Sequence, residues 1–447
     1  MSHVFPRHCH ANLPIAVSGD GCFLIDSDGK RYFDGSGGAA VSCLGHSNTR
    51  VAEAIKTQVD QLAFAHTGFF TTDPAEQLAD LLIANAPAEL DRVYFVSGGS
   101  EAVESAIKLA RQYHIENGEP QRRHLIARRQ SYHGNTLGAL AAGGNAWRRE
   151  QFSPLLTEMS HIAPCYEYAE RSEGENLHDY GQRVARELEE EILRLGPDKV
   201  MAFIAEPVVG ATLGAVPPVE GYFGRIREIC DKYGVLLILD EVMCGMGRTG
   251  HLFACDAEEI APDILCIAKG LGAGYQPIGA MLCSKSIYDR IATGSGFFQH
   301  GHTYIGHPVA AAAGLAVVRE ILENDLPAQV RSRGQHLQHQ LELRFGQNPH
   351  VGDIRGRGLF WGLEFVVDRD KKTPFDPGIG LAGKLKKAAF SQGLICYPMP
   401  GTRDGKNGDH VLLAPPFIAS EDELDLALDR LETAVGQVLD QALRSSS

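Results

Sequence analysis

The 447-residue chain is too long for one ordinary hydrophobic core, so its length predicts two or more structural units. Its composition, 44% hydrophobic and 22% charged, is typical of a soluble globular protein. The formal net charge of −14 argues against a surface that binds nucleic acid or an anionic membrane. We find no signal-peptide region and no membrane-spanning apolar stretch, and the ten cysteines are scattered. We therefore expect a cytoplasmic protein with reduced thiols.

The order of the predicted elements indicates an α/β fold. Residues 20–45 carry Asp-Gly turn signals between short apolar runs, which predicts a small antiparallel element. Apolar runs then alternate with helical patterns, as expected for strands buried between helices. The predicted strands are 92–96, 201–205, 235–239, 264–268 and 278–283, and the predicted helices are 101–114, 183–195 and 222–233. This alternation predicts a mostly parallel sheet that binds its ligand at the carboxyl ends of the strands.

The C-terminal part of the chain has a different pattern. From about residue 325 onward, amphipathic helices alternate with short strands such as 359–366 and 410–413. We therefore expect a large central domain over residues 61–324 and a small domain built from residues 1–60 and 325–447. The polar stretch 166–179 is predicted to be an exposed insertion.

One short loop has the features of an anion-binding site. Ser97-Gly98-Gly99-Ser100 follows a strand and opens a helix, where free backbone N–H groups and the positive end of the helix dipole meet. Gly98 and Gly99 let the backbone approach a phosphate closely, and Ser100 can add a hydroxyl group. The alternative is that Ser100 only caps the helix, and the loop alone does not decide between the two.

Two charged residues follow buried strands at the same predicted edge of the sheet. Asp240 ends the run VLLIL, where a carboxylate is costly unless it meets a cation or a hydrogen-bond donor. Lys269 ends the run ILCIA, where partial desolvation would lower its pKa and make it a nucleophile. The alternatives are a structural ion pair for Asp240 and a lysine that reaches solvent for Lys269.

Taken together, these residues resemble the class III aminotransferases, which have the fold-type I architecture. The matching motifs occur in the family's order over nearly the whole chain. They are residues 97–102, Tyr132-His133-Gly134, Glu206-Pro207-Val208, Asp240-Glu241-Val242 with the glycine-rich stretch 245–250, Lys269, and residues 302–308. The resemblance implies a large domain with a mostly parallel, seven-stranded sheet, a small α+β domain from both termini, and pyridoxal 5′-phosphate as the cofactor.

The resemblance also implies roles for single residues. Lys269 would hold the cofactor as a Schiff base and move a proton, and Asp240 would pair with the ring nitrogen. The other cofactor contacts would be Gly99 and Ser100 on the phosphate, Tyr132 and Val242 on the two ring faces, His133 as an orienting residue, Glu206, and Thr303 on the phosphate of the neighbouring subunit. Simple packing, capping or turn roles are the alternatives for these contacts. The active protein would be a homodimer with shared sites, or a tetramer. No spacing of His, Cys and carboxylates predicts a metal site.

Two departures from the family pattern bear on the substrate. Asn135 stands where members that use 4-aminobutyrate or acetylornithine with 2-oxoglutarate carry arginine, and Met243 stands where many members carry glutamine. Both favour the branch that transfers an amino group from an amine or ω-amino acid to pyruvate, with 2-oxoglutarate as the second choice, by a ping-pong mechanism. For a substrate carboxylate the candidates are Arg403 or Lys406, and for the pocket wall they are Phe64, Phe69 and Phe70, which could instead pack in the core or a dimer interface.

Three other functions stay open from the sequence. An aminomutase would return the amino group to the same molecule, and a decarboxylating enzyme would release carbon dioxide. A binding or structural protein without catalysis is the third, although an intact lysine, aspartate and phosphate loop have no obvious use in it.

Overall fold

A central sheet covered by helices forms the larger part of the molecule in the computed structural model, which describes residues 3–446. The strands are β1 (Ala16–Asp20), β2 (Phe23–Asp26), β3 (Arg31–Asp34), β4 (Leu90–Val96), β5 (His124–Arg128), β6 (Ser160–Ile162), β7 (Val200–Ala205), β8 (Leu236–Asp240), β9 (Ile264–Ile267), β10 (Gly279–Ser284), β11 (Val351–Arg357), β12 (Phe360–Phe365), β13 (Leu394–Ile395), β14 (Tyr397–Pro400) and β15 (Asp409–Leu413).

Fourteen α-helices connect these strands within the described residues. They are α1 (Gly37–Ala40), α2 (Thr49–Gln61), α3 (Asp73–Ala84), α4 (Gly99–Glu116), α5 (Leu137–Ala142), α6 (Ala146–Glu150), α7 (Glu167–Glu170), α8 (Leu177–Leu195), α9 (Tyr222–Tyr233), α10 (Lys285–Thr293), α11 (Pro308–Glu323), α12 (Leu326–Phe345), α13 (Leu381–Ser391) and α14 (Glu421–Ser446). None of the helices in this part of the chain combines the length and the apolar character needed to cross a membrane.

The seven-stranded sheet has the order β4-β10-β9-β8-β7-β5-β6. Four of its neighbouring pairs are parallel, and β10 runs antiparallel to both β4 and β9. The prediction of a mostly parallel, seven-stranded sheet is therefore confirmed. The predicted strand 278–283 exists as β10, but its antiparallel direction was not predicted, because hydrophobicity does not reveal the direction of a buried strand.

The central strands of the sheet are buried on both faces because they are apolar at nearly every position. In β8, Leu237 and Leu239 pack into one apolar cluster, which also contains residues of α8 and α9. Leu236 and Ile238 point to the opposite face and pack with residues of α4 and α10. Alternate residues of one strand thus fill two different cores, which fixes the sheet between two helical layers.

The two ends of the chain meet in smaller sheets. In one of these, β3 pairs with β13 in the order β1-β2-β3-β13, and the other has the order β11-β12-β15-β14. This pairing supports the predicted small domain from both termini, although the boundaries at residues 60 and 325 stay a prediction. Helix α2 packs against α11 of the central part.

The prediction of an exposed insertion over residues 166–179 is wrong in part. Tyr166 is buried, with 2% of its surface exposed, and its hydroxyl group donates to the carboxylate of Glu364. The short helix α7 follows, and α8 begins at Leu177 instead of residue 183. Residues 171–176 connect these helices, and every residue from 167 to 179 is exposed or half-exposed, so the predicted exposure fails at Tyr166 alone. The polar composition of the stretch did not reveal that Tyr166 is buried and hydrogen-bonded to Glu364 on β12.

Candidate active site

A cavity of about 380 Å³ lies at one edge of the central sheet. Its walls come from the segments that follow β4, β5, β7, β8 and β9 and from the segment before β10. Because β10 runs antiparallel, its start lies at the same edge as the ends of the parallel strands. The lining residues are Val41, Ser97, Gly98, Gly99, Ser100, Tyr132, His133, Gly134, Glu206, Asp240, Val242, Met243, Ala268, Lys269, Gly274, Gln276, Pro277 and Ile278. Nearly all the predicted cofactor residues are thus brought together.

Lys269 lies at the junction of β9 and a short 3₁₀ helix, Lys269–Leu271. Its φ of 45° is in the left-handed region, which non-glycine residues adopt at a cost of about 1–3 kcal/mol. The backbone carbonyl of Lys269 accepts from the N–H groups of Gly272 and Ala273, which stabilises this turn. Burial lowers the pKa of the Lys269 amine, and the negative charges of Asp240 and Glu206 oppose that shift. The amine is therefore better able to act as a nucleophile or a base than an exposed lysine.

Asp240 is buried at the end of β8, with 4% of its surface exposed. Its Oδ2 lies 2.8 Å from Nδ1 of His133, and its Oδ1 accepts from the backbone N–H of Val242 at 3.0 Å. The His133 ring is buried as well, and its Nε2 has no hydrogen-bond partner within residues 3–446. These two contacts fix the orientation of the carboxylate at the cavity wall. The arrangement agrees with an orienting role for His133.

Glu206 directly follows β7 and is buried. Its Oε1 accepts from the backbone N–H of Tyr132 at 3.1 Å, and its Oε2 accepts from that of Gly210 at 2.9 Å. Burial raises the pKa of the Glu206 carboxyl, while the nearby His133 opposes the shift. Glu206 therefore ties the loop that carries Tyr132 to the loop that begins after β7.

The glycine-rich loop has little free space behind it. A Cβ atom on Gly99 would lie 2.7 Å from Cγ1 of Val242, so only glycine fits there without a shift. The Ser100 hydroxyl accepts from the backbone N–H of Asn135 at 3.0 Å, and the N–H of Ser97 donates to the Glu101 carboxylate at 2.8 Å. Helix α4 begins at Gly99, so Ser100 is not its N-cap residue. The first N–H groups of this 18-residue helix have no partner in the helix itself and face the cavity region.

Thr303 and the three aromatic candidates are not among the cavity-lining residues of the single chain. Thr303 is exposed in a turn before α11. The Phe64 ring lies 5.8 Å from the ring of Tyr304, while Phe69 and Phe70 are 82% and 67% exposed. These residues form part of an apolar surface near the 304–307 turn, and their predicted roles stay predictions.

The two candidates for binding a substrate carboxylate also lie outside the cavity wall. Nε of Arg403 pairs with Oε1 of the buried Glu364 at 2.7 Å, and its guanidinium lies 4.9 Å from the ring centroid of Tyr168. Glu364 also pairs with Arg355 at 2.7 Å. Lys406 is exposed beside a shallow cleft that Arg149 and Glu150 also line. In this conformation Arg403 is bound by an internal carboxylate.

The sequence did not point to several residues at the site. The segment 276–278 lines the cavity, although only the glycine-rich turn after Lys269 gave a hint of it. Arg148 was missed altogether, and its guanidinium lies 4.7 Å from the ring centroid of Tyr132. It belongs to a short helix, α6, in the run NAWRRE, which resembles any surface Arg-Arg pair.

Comparison with known proteins gives matches over nearly the full length. The family model described as aminotransferase class-III matches residues 5–435. An uncharacterized aminotransferase of Schizosaccharomyces pombe is 44% identical over 427 residues, which cover 94% of this chain and 92% of that protein. An (S)-enantioselective ω-transaminase from Thermomicrobium roseum superposes with a TM-score of 0.92 at 36% identity, covering 98% and 96% of the two chains. The ω-transaminase of Pseudomonas jessenii in complex with PMP gives a TM-score of 0.91 at 32% identity, covering 98% and 97%.

Proposed function

The chain belongs to the class-III aminotransferases, and we propose that it transfers an amino group from an amine or ω-amino acid to a small keto acid by a ping-pong mechanism. It is a transaminase that uses pyridoxal 5′-phosphate, as its family does. Pyruvate is the proposed acceptor and 2-oxoglutarate the alternative. The cavity that joins Lys269, Asp240 and the glycine-rich loop at one sheet edge carries this proposal.

The residues around the cavity fit the cofactor chemically. The phosphate group would be held by N–H groups at the start of α4, with Gly99 and the Ser100 hydroxyl beside it. Asp240 offers a buried carboxylate to a protonated ring nitrogen. Tyr132 and Val242 would contact the two ring faces. When bound, the cofactor supplies an electron-withdrawing ring that stabilises negative charge on the substrate carbon.

The protein side chains would divide the remaining work. Lys269, whose pKa burial lowers, would attach the cofactor and would then carry a proton once a substrate amine has replaced it. Asp240 would hold the ring nitrogen protonated, and His133, 2.8 Å away, would keep that carboxylate in place. Glu206 would hold the Tyr132 backbone against the cavity.

The choice of substrate rests on two residues near the cavity. Asn135 is exposed beside Ser100 and has no charge with which to bind a carboxylate. Met243 lines the cavity with an apolar side chain. Both support amines and ω-amino acids as donors and a small keto acid as the acceptor. Arg403 and Lys406 remain proposed carboxylate partners, and Arg403 would first have to leave Glu364.

We also propose that the enzyme is a homodimer, or a tetramer of two such dimers, with shared active sites. The exposed phenylalanines Phe69 and Phe70, the exposed Tyr304 and the adjacent Thr303 support this, since a large apolar surface usually marks an interface. Thr303 would reach the phosphate in the partner's site, and Phe64 and Phe69 would line its substrate pocket. The ten free cysteines, nine of them buried, support a cytoplasmic location.

The proposal is tested by separating the two half-reactions on purified enzyme loaded with pyridoxal phosphate. Amines and ω-amino acids are added one at a time while the visible absorbance is followed, and pyruvate or 2-oxoglutarate is added afterwards. A donor that lowers the absorbance and a keto acid that restores it would support transamination and identify the acceptor. Turnover without any keto acid would favour an aminomutase instead, and release of carbon dioxide would favour a decarboxylating enzyme.

A further inference from the structure

Arg148 lies beside the cavity in a fixed position. The Asn145 side chain accepts from the backbone N–H of Arg148 at 3.2 Å and donates to Gln130 Oε1 at 2.7 Å. Gln130 in turn donates to the carbonyl of Gly401 at 2.8 Å. The short helix α6 is thus tied to the interior, and the Arg148 guanidinium is held 4.7 Å from the ring centroid of Tyr132, a cavity-lining residue.

The guanidinium of Arg148 has no anionic partner. Its Nε is buried and makes no hydrogen bond, and no carboxylate pairs with the group anywhere in residues 3–446. Arg148 acts on the Tyr132 hydroxyl and opposes the rise in its pKa that burial causes. Arg148 also acts on the Lys269 amine and opposes its protonation. An anionic ligand would complete the contacts of a half-buried arginine that lacks a carboxylate, and Arg148 holds this position next to a cavity-lining tyrosine.

Arg403, the candidate from the sequence, differs from Arg148 in having a carboxylate beside it, although its Nε and Nη2 also make no hydrogen bond of good geometry within residues 3–446. Its charge is neutralised by Glu364, which has 1% of its side chain exposed and is shared with Arg355. Moving Arg403 into the cavity would break a buried ion pair, which is costly when one partner is left behind. Arg148 needs no such rearrangement to accept an anion.

We propose that Arg148 binds the carboxylate of the amino donor or keto acid and so selects carboxylate-bearing substrates. This inference rests on the transaminase function proposed above and names a residue outside the motifs that identify the family. The planar guanidinium can bind a carboxylate through two parallel hydrogen bonds while one face stays against Tyr132. Amines that lack a carboxylate would react at the same Lys269 without using this contact.

The test compares two matched series of donors in the first half-reaction of the holoenzyme. One series is β-alanine, 4-aminobutyrate and 6-aminohexanoate, and the other is the n-alkylamines of equal chain length. Arg148→Gln should raise the half-saturating concentration of the amino acids about 10-fold or more and leave that of the alkylamines unchanged. Arg148→Lys should lose less, because it keeps the charge. An equal change in both series would overturn the inference, since it would indicate that Arg148 only positions Tyr132.

Two further variants distinguish carboxylate binding by Arg148 from a general effect of charge and from carboxylate binding by Arg403. Arg149→Gln, on the same helix but not stacked on Tyr132, is the matched control for loss of a neighbouring charge. If Arg403→Gln causes the carboxylate-selective loss and Arg148→Gln does not, the inference is wrong and Arg403 is the receptor. Calorimetric binding of butyrate to the holoenzyme decides the question without turnover. Butyrate should bind the parent and Arg149→Gln more tightly than Arg148→Gln, and equal affinities would overturn the inference even where the half-reaction succeeds.

Discussion

Replacing Gly99 by alanine should weaken cofactor binding through a contact with Val242. The added Cβ would lie 2.7, 3.0 and 3.4 Å from Cγ1, Cγ2 and Cβ of Val242. Carbon atoms normally approach to about 3.5–4.0 Å, so the valine side chain must move by roughly 1 Å. Its backbone has little freedom, because the Val242 N–H donates to Asp240 at 3.0 Å. The side chain must therefore shift within the cavity that it lines.

The size of the effect follows from the cost of overpacking. Forcing an extra methyl group into a packed contact costs about 1–3 kcal/mol. If that cost falls on the cofactor-bound state, the dissociation constant of pyridoxal phosphate rises roughly 5- to 150-fold. The measurement is a titration of cofactor-free protein with pyridoxal phosphate, followed by visible absorbance. Val242→Ala removes the atoms that collide, so the double variant Gly99→Ala/Val242→Ala should bind more tightly than Gly99→Ala alone.

Gly98 provides the matched control for protein stability. Its φ of 176° is an extended conformation that any residue adopts, and an added Cβ would meet no atom within 4 Å. Gly98→Ala should therefore leave the melting temperature of the cofactor-free protein unchanged. Gly99→Ala should lower it only by the part of the contact cost that the cofactor-free protein also bears, and that part does not weaken cofactor binding. Parent-like cofactor affinity in Gly99→Ala, or no recovery in the double variant, would refute the reasoning about this contact.

Three further changes test other parts of the molecule. Lys269→Ala should fold but lose turnover. It should also lose the covalent attachment of cofactor that we expect peptide mass spectrometry to find on Lys269 of the parent after borohydride reduction, and retained turnover would contradict the assigned role. Burial raises the pKa of Asp409 to about 6 from its ordinary 3.8, so the folded protein binds this proton more tightly and loses stability as pH rises from about 4 to about 6. Asp409→Asn should then stabilise the protein at pH 8 by up to about 3 kcal/mol in urea unfolding and by much less at pH 4, and an equal effect at both would contradict the assignment. Phe69→Ser/Phe70→Ser should raise the dimer dissociation constant by about 100-fold or more in sedimentation, with Leu193→Ser as an exposed control, and unchanged association would argue against this interface.

Five of the seven strands of the central sheet could be predicted because their sequence signal is local, whereas β5 and β6 were not identified. Five buried runs were identified within two residues of the observed ends of β4, β7, β8, β9 and β10. The pattern of hydrophobic residues does not show in which direction a strand runs. The sequence therefore predicted β10 as a strand but not its antiparallel orientation. The same limit explains Tyr166, since its partner Glu364 is 198 residues away in the chain. A polar composition alone gave the wrong exposure for that tyrosine.

The site residues that could be predicted are also those whose position follows from the local sequence. Glu206, Asp240 and Lys269 each directly follow or end an apolar strand, and the carboxyl ends of parallel strands converge at one edge, so their proximity follows from local sequence. Arg403 also stood out in the sequence, but its state depends on Glu364, which lies 39 positions earlier on β12, in the same sheet as the strands β14 and β15 that flank Arg403. Arg148 follows β5 by 20 residues and reaches Tyr132 only because Asn145 and Gln130 anchor its helix. A charged residue at the end of a buried strand can be recognised in the sequence. The position of Arg148 depends on hydrogen bonds between segments distant in sequence, so it can be recognised only in the folded structure. Of the two cations selected from the sequence, Arg403 is already paired with Glu364, whereas Arg148, which the sequence did not single out, pairs with no carboxylate within residues 3–446.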